Sequence, residues 1–151
     1  MSQGKALRLL AEDADDLQII SAAVQDAVLK AEALHYDRKR RRFTIELNRF
    51  QWEDRAPKGG PQTRVRALLA IDNVLSVQSR AVTKRDPDMV MSLLSIAYNP
   101  AAEPPGGEVV LLFAGDGELK LAVDVLDVTL LDSAYAWSTR HLPDHTKKRR
   151  R

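Results

Sequence analysis

Apolar and polar residues change their spacing near residue 30 of this 151-residue chain, and the change separates a helical stretch from a run of strands. Ala6 to Ala11, reading Ala-Leu-Arg-Leu-Leu-Ala, predicts a short strand stopped by Glu12-Asp13-Ala14-Asp15-Asp16. Asp13 is the N-cap candidate of a helix, Asp16 lies three residues on, and the carboxylates suit the positive end of the helix dipole. Leu17, Ile20, Val24, Ala27 and Val28 follow at three- and four-residue spacing, which predicts a helix from about Asp15 to Leu29 with one apolar face. A metal site is the other use of such an acidic cluster. Such closely spaced carboxylates without distant partners suit no particular ion, so the dipole reading is preferred.

Beyond the helix the period becomes two. Phe43, Ile45 and Leu47 alternate with Arg42, Thr44 and Glu46, the mark of a half-buried strand. The next large apolar residues are Phe50 and Trp52, so a bulge near Asn48-Arg49 is expected to restore one inward face. Asp54 to Gln62, with Pro57, Gly59, Gly60 and Pro61, reads as a loop. Val65, Ala67, Leu69 and Ile71 resume the alternation, which slips again at Asp72-Asn73 before Leu75 and Val77. After Pro87, Met89 to Tyr98 is a further strand, Pro100 to Gly107 a loop, and Val109 to Ala114 with Leu119 to Leu131 a hairpin turning at Gly115-Asp116-Gly117.

These strands resemble one another in two sets. Ala33-Leu34-His35-Tyr36-Asp37 lines up with Ser95-Ile96-Ala97-Tyr98-Asn99, and Leu69 to Val77 with Leu121 to Val128, leaving Asn73 unmatched. The expectation is two repeated three-stranded meanders, residues 30–82 and 89–131, within a single domain of residues 1–140, followed by a basic tail at 141–151. One meander alone exposes its apolar face. The predicted class is therefore α+β: one N-terminal helix packed on about seven mainly antiparallel strands that form a barrel or sandwich.

Composition adds exclusions. Apolar residues at 44% and charged residues at 29% are those of an ordinary globular chain. There is no cysteine, which removes disulfides, thiolate metal sites and cysteine nucleophiles. No apolar run approaches the ~20 residues that span a bilayer, and the first residues lack a signal peptide's apolar stretch, so a cytoplasmic protein without a membrane partner is expected. The net charge of +2 conceals two cationic blocks, Arg38-Lys39-Arg40-Arg41-Arg42 and Lys147-Lys148-Arg149-Arg150-Arg151. They hold ten of the 23 basic residues, leaving 13 against 21 acidic ones elsewhere.

Several segments together resemble a known family: Leu7-Arg8-Leu9-Leu10-Ala11-Glu12-Asp13-Ala14-Asp15-Asp16-Leu17, Gln25-Asp26-Ala27-Val28, Leu47-Asn48-Arg49-Phe50-Gln51-Trp52-Glu53, Phe113-Ala114-Gly115 and Ala136-Trp137-Ser138-Thr139-Arg140. They are similar to small alphaproteobacterial proteins catalogued only as a domain of unknown function. The resemblance covers nearly the whole chain and implies a bacterial cytosolic protein that stands alone. It brings no activity, cofactor or catalytic residue with it.

The candidate chemistry is accordingly thin. Arg38, Lys39, Arg40, Arg41 and Arg42 fall where a hairpin turn is expected, and guanidinium forks there suit phosphate or carboxylate oxygens. The plain alternative is a solvated turn that keeps a sheet edge soluble. Aromatic residues at 5% are too few for a base-stacking platform. Arg49, Trp52, Asp124, Trp137 and Arg140 are the candidates for a pocket between the meanders, with core packing as the alternative for both tryptophans. His141 and His145 have Pro143 between them and His35 sits on a predicted strand, so no metal site and no cofactor is expected. Ser133 and Ser138 lack a nucleophile elbow, and the glycine pairs lack the Gly-Lys-Ser/Thr of a phosphate loop. The arginine run also lacks the Asp/Asn-x-Ser-x-x-Gly partner of cyclic-dinucleotide barrels. No catalytic constellation is recognised. Three readings follow: a non-enzymatic binding or adaptor module that contacts an acidic protein, nucleic acid or ribonucleoprotein through the basic hairpin; an enzyme or small-molecule binder; and a homodimer joined through an apolar sheet face.

Overall fold

The computed structural model describes residues 6–51, 64–82, 86 and 88–133. Strand β1 (Arg8–Ala11) runs into α1 (Ala14–Ala23). The Asp13 side chain accepts a 2.8 Å hydrogen bond from the Asp16 N–H, and Asp15 and Asp16 occupy the first turn, so the helix starts where its cap dictates. It ends at Ala23, short of the expected Leu29. Asp26 adopts a left-handed φ of +65° and donates its N–H to the Leu93 carbonyl at 2.7 Å, and Ala27–Lys30 continue as strand β2. The run Ala27-Val28-Leu29 satisfies a helical and a strand period alike; the pairing offered by neighbouring strands decides it.

A single 3-10 turn, Ala31–Ala33, leads to β3 (Leu34–Asp37) and β4 (Arg42–Phe50), followed by β5 (Arg64–Ile71), β6 (Val74–Arg80), β7 (Val90–Pro100), β8 (Gly107–Phe113), β9 (Glu118–Val123) and β10 (Val128–Asp132). All pairings are antiparallel, in the order β1-β10-β5-β4-β2-β7-β8-β9-β6, with β3 sharing one edge of β4 with β2. The class is α+β, as expected. The strand number and the barrel are not: among the described residues the sheet has ten strands, it is continuous, and its hydrogen-bonded path does not close.

The difference has physical sources. Besides β2, each of the two long strands expected at the ends of the meanders is broken in the middle. Asn73, at φ +62°, turns the chain out of β5 into β6, and Asp124 to Asp127 separate β9 from β10. At each break the chain leaves one half of the sheet for the other, so β5 pairs with β10 while β6 pairs with β9. What reads as a slip at Asp72-Asn73 is a corner.

The inward faces of both halves share one core. Ile45, Leu47, Leu69 and Ile71 from one half join Leu93, Leu111 and Leu121 from the other, and α1, lying against β1 and β7, adds Leu17, Ile20 and Val24. A continuous sheet whose two ends feed one core must curl. The curl brings the β3–β4 turn against the start of β6, where the Val74 N–H donates to the Arg41 carbonyl at 2.8 Å and the Tyr36 hydroxyl donates to the Val74 carbonyl at 2.8 Å. The bulge expected at Asn48-Arg49 is absent. β4 and β5 pair without a shift from Phe43–Ile71 to Phe50–Arg64, and Arg49 takes the inward position after Leu47. A charged residue is tolerated there because a carboxylate meets it inside.

Candidate functional site

That carboxylate is Asp132, the last residue of β10. Arg49 Nε and Nη2 donate to Asp132 Oδ1 and Oδ2, each at 2.8 Å, in a two-pronged pair whose side chains are 0% and 1% exposed. Arg49 Nη1 also donates to the Phe50 carbonyl at 3.0 Å, and Asp132 exchanges hydrogen bonds with the backbone of Leu7. The pair reaches across β5 and clamps β4, β10 and the chain before β1 together. Each ion thus meets its counter-charge and backbone partners away from solvent. Next to it, Phe50 turns outward and the Arg64 guanidinium stands 4.7 Å from its ring centroid.

Of the five residues expected to line a pocket, Arg49 and Asp124 are the two among the described residues. Trp52, Trp137 and Arg140 lie outside the described residues, as does the 141–151 segment. Asp124 sits at the other end of β4, about 25 Å away at the rise of an extended strand. The space between the two halves is occupied by the apolar cluster.

The second cluster of charge is the turn between β3 and β4. The Arg40 N–H donates to Asp37 Oδ1 at 3.1 Å, and Arg41 is left-handed at φ +57°. Two of the five cations are fastened at the root of the turn: Arg41 Nη1 to Asp124 Oδ2 at 2.9 Å, and Arg42 Nε to Asp72 Oδ1 at 2.7 Å. Arg40 approaches Asp37 at 3.9 Å. Arg38 and Lys39, at the tip, are exposed and form no ion pair among the described residues. Asp124, Asp72 and Asp127 thus belong to the two corners, which brace the turn. Asp127 is held above its ordinary carboxylate value by partial burial first, then by the charges of Asp72 and Glu12, with Arg42 opposing.

Beside the turn lies a cleft of about 550 Å³, lined by Tyr36, Arg38, Arg41, Val74, Leu75, Ser76 and Val77. It is cationic on the turn side and polar to apolar along β6. A second groove, about 640 Å³, crosses the outer face where β2 and β3 part along β4; His35, Lys30, Glu32, Glu46, Asn48 and Arg66 line it. Glu46 and Arg66 pair across that groove at 3.2 Å, so its charges largely answer one another. Among the described residues no group of three or more His, Asp or Glu side chains is arranged to hold a metal ion.

Residues 7–145 match the family described as "Protein of unknown function (DUF2948)". The chain belongs to that family. No curated protein and no solved structure matches it. DUF2948 membership therefore gives no residue a role, and the site must be read from its geometry. Two features of this DUF2948 chain escaped sequence reasoning. Asp132 continues the inward phase of Val128 and Leu130, just as Arg49 continues that of Leu47; two opposite charges, each in the apolar phase of its own strand, are the signal that could have joined them. Tyr36 and β6 carry no such signal, because their meeting depends on the curl of the sheet.

Proposed function

We propose that the protein is a non-enzymatic cytoplasmic binding module whose contact surface is the turn Arg38 to Arg42 with the adjoining cleft, and whose partner is acidic. The observation that carries this reading is the division of labour within the turn. Arg41 and Arg42 are spent on Asp124 and Asp72, which stiffens the root, while Arg38 and Lys39 face solvent beside a concave surface with no carboxylate partner among the described residues. A pre-shaped cationic tip loses little conformational freedom on binding and steers an acidic partner toward it. By contrast, a solvated turn has no need of corner carboxylates to hold it.

The test is co-purification of the untagged protein from its own cells at low and high salt, with proteins and nucleic acid both identified. A partner released by salt and missing from the Arg38→Ser/Lys39→Ser/Arg40→Ser variant supports the reading. An unchanged set of partners with that variant overturns it.

A further inference from the structure

The two corners of the sheet differ in what covers the strand that leaves each. β5 leads to β6 and β9 leads to β10; the second half of each lies on the first half of the other. On the far side of β10 the chain supplies its own cover, since Arg8–Ala11 of β1 pair antiparallel with Leu131–Val128. On the far side of β6 there is none among the described residues. Among the described residues β6 pairs only with β9. Val74 is occupied by Arg41 and Tyr36, but Ser76 to Arg80, in unbroken register with Ala122 to Glu118, keep an open outer edge.

An open edge offers alternating N–H and C=O groups that an extended chain can satisfy, with side-chain pockets alongside for selection. Here the pocket exists. Leu75, Val77 and Tyr36 supply apolar surface, and Arg38 supplies positive charge at the β3–β4 turn, where Arg41 is held by Asp124. We infer that the edge of β6 is a docking site for an acidic protein segment, which adds to it as an extended strand, antiparallel as β1 is on β10, with its carboxylates on Arg38 and Lys39. This rests on the acidic-partner reading above and adds the class of partner and the manner of its binding.

The edge selects among occupants. Nucleic acid answers the arginines but has no backbone ladder of donors and acceptors to match β6. The chain's own segment 141–151 ends in five cations and shares the sign of the turn. A second copy pairing antiparallel through β6 sets Arg38 and Lys39 of one molecule near Arg80 of the other, whose guanidinium is paired with Glu118 at 3.3 Å, so it brings no free carboxylate to the turn.

The experiment titrates the full-length, isotope-labelled protein with a capped peptide of about ten residues alternating Glu and Val. Two further probes are the same peptide with every second amide N-methylated and a uridine oligonucleotide of similar charge. The expected result is that the plain peptide binds and slows hydrogen exchange of outward amides within Ser76 to Arg80, while N-methylation on the bonding edge weakens binding about tenfold or more. Arg38→Ser/Lys39→Ser is expected to weaken it roughly threefold to tenfold and to flatten its salt dependence. Equal binding of the N-methylated peptide, or unprotected β6 amides, overturns strand addition; if the double serine variant still binds less, the acidic-partner reading survives. Tighter binding of the oligonucleotide overturns the peptide class. Failure of every anionic probe removes both proposals, and a dimer with protected β6 amides before any peptide is added refutes this one in favour of self-association.

Discussion

Replacing Asp132 by Asn tests whether the inner ion pair is a clamp. The substitution keeps the shape and leaves an amide oxygen for the Leu7 N–H, but it strands the Arg49 guanidinium, 0% exposed, without a counter-charge. Removing one partner of a buried pair costs about 3–5 kcal/mol, because the remaining ion stays desolvated. Against a total stability of about 5–15 kcal/mol for a domain of this kind, that is roughly a fifth or more. At about 2–4 °C per kcal/mol the melting temperature is expected to fall by roughly 10 °C. Urea unfolding followed by far-ultraviolet circular dichroism reads the cost as a lower midpoint at unchanged slope. The double variant Arg49→Met/Asp132→Asn removes the stranded charge and is expected to be more stable than Asp132→Asn alone. If Asp132→Asn stays within about 1 kcal/mol of the parent, or the two changes simply add, the pair is not a coupled clamp and the account of why β4 accepts an inward arginine is wrong.

Three other outcomes are expected. Gly107→Ala places a Cβ 2.6 Å from the Asn99 carbonyl oxygen and 2.6 Å from the Tyr98 hydroxyl, so β7 and β8 must part and stability should drop by about 1–3 kcal/mol in the same urea assay. Asp13→Ala removes the hydrogen bond to the Asp16 N–H and should cost about 1 kcal/mol, with exchange of the first-turn amides of α1 quickened. Asp127 has its native pKa raised from 3.8, so the folded state binds that proton more tightly than the unfolded chain does; its contribution is favourable at low pH and is lost as pH rises through the native value. Asp127→Asn should therefore stabilise the protein at neutral pH, and the gain should vanish below about pH 3.8 in unfolding curves recorded across pH.

What could be read in the sequence was local. Asp13 announces the helix start through one side chain and one N–H three residues on, and Phe43-Ile45-Leu47 announce β4 through alternation. Sequence failed wherever the deciding partner is distant. Arg49 reads as a break in phase until Asp132, 83 residues later, is known to meet it. The segment after Val24 satisfies two periods, and Leu93 settles which by accepting the Asp26 N–H. The stretches Leu69 to Val77 and Leu121 to Val128 look alike because each supplies an inward apolar run, a polar corner and a second run. Alternation records the runs, but nothing in it says that the second run leaves for the opposite half of the sheet. Of the candidate site, the charge of the turn was legible; the bracing of Arg41 by Asp124 and of Arg42 by Asp72 was not, since corners have no period to read.

The position of the charge bears on how an open edge survives at all. An edge strand with a half-exposed leucine at its start, as Leu75 is at 49%, invites pairing with any extended chain, including another copy. Proteins commonly block such an edge with an inward charge, a proline or a covering strand, and β1 performs that service for β10. β6 has a bulge between Val74 and Ser76 and, beside it, the cationic turn. The bulge covers only the first residues of the strand, so the remainder depends on charge. Arg38 and Lys39 at one end of β6, and Arg80 paired with Glu118 at the other, offer a second β6 or the chain's own basic segments no free carboxylate to meet, while leaving an acidic strand free to approach. On the proposed reading the same residues protect the edge and choose its partner. Neutralising Arg38 and Lys39 should then have two effects that separate in solution: weaker binding of the acidic peptide, and a greater tendency of the free protein to self-associate at low salt. Loss of peptide binding without any rise in self-association would assign the two residues to recognition alone and leave the protection of β6 to its bulge.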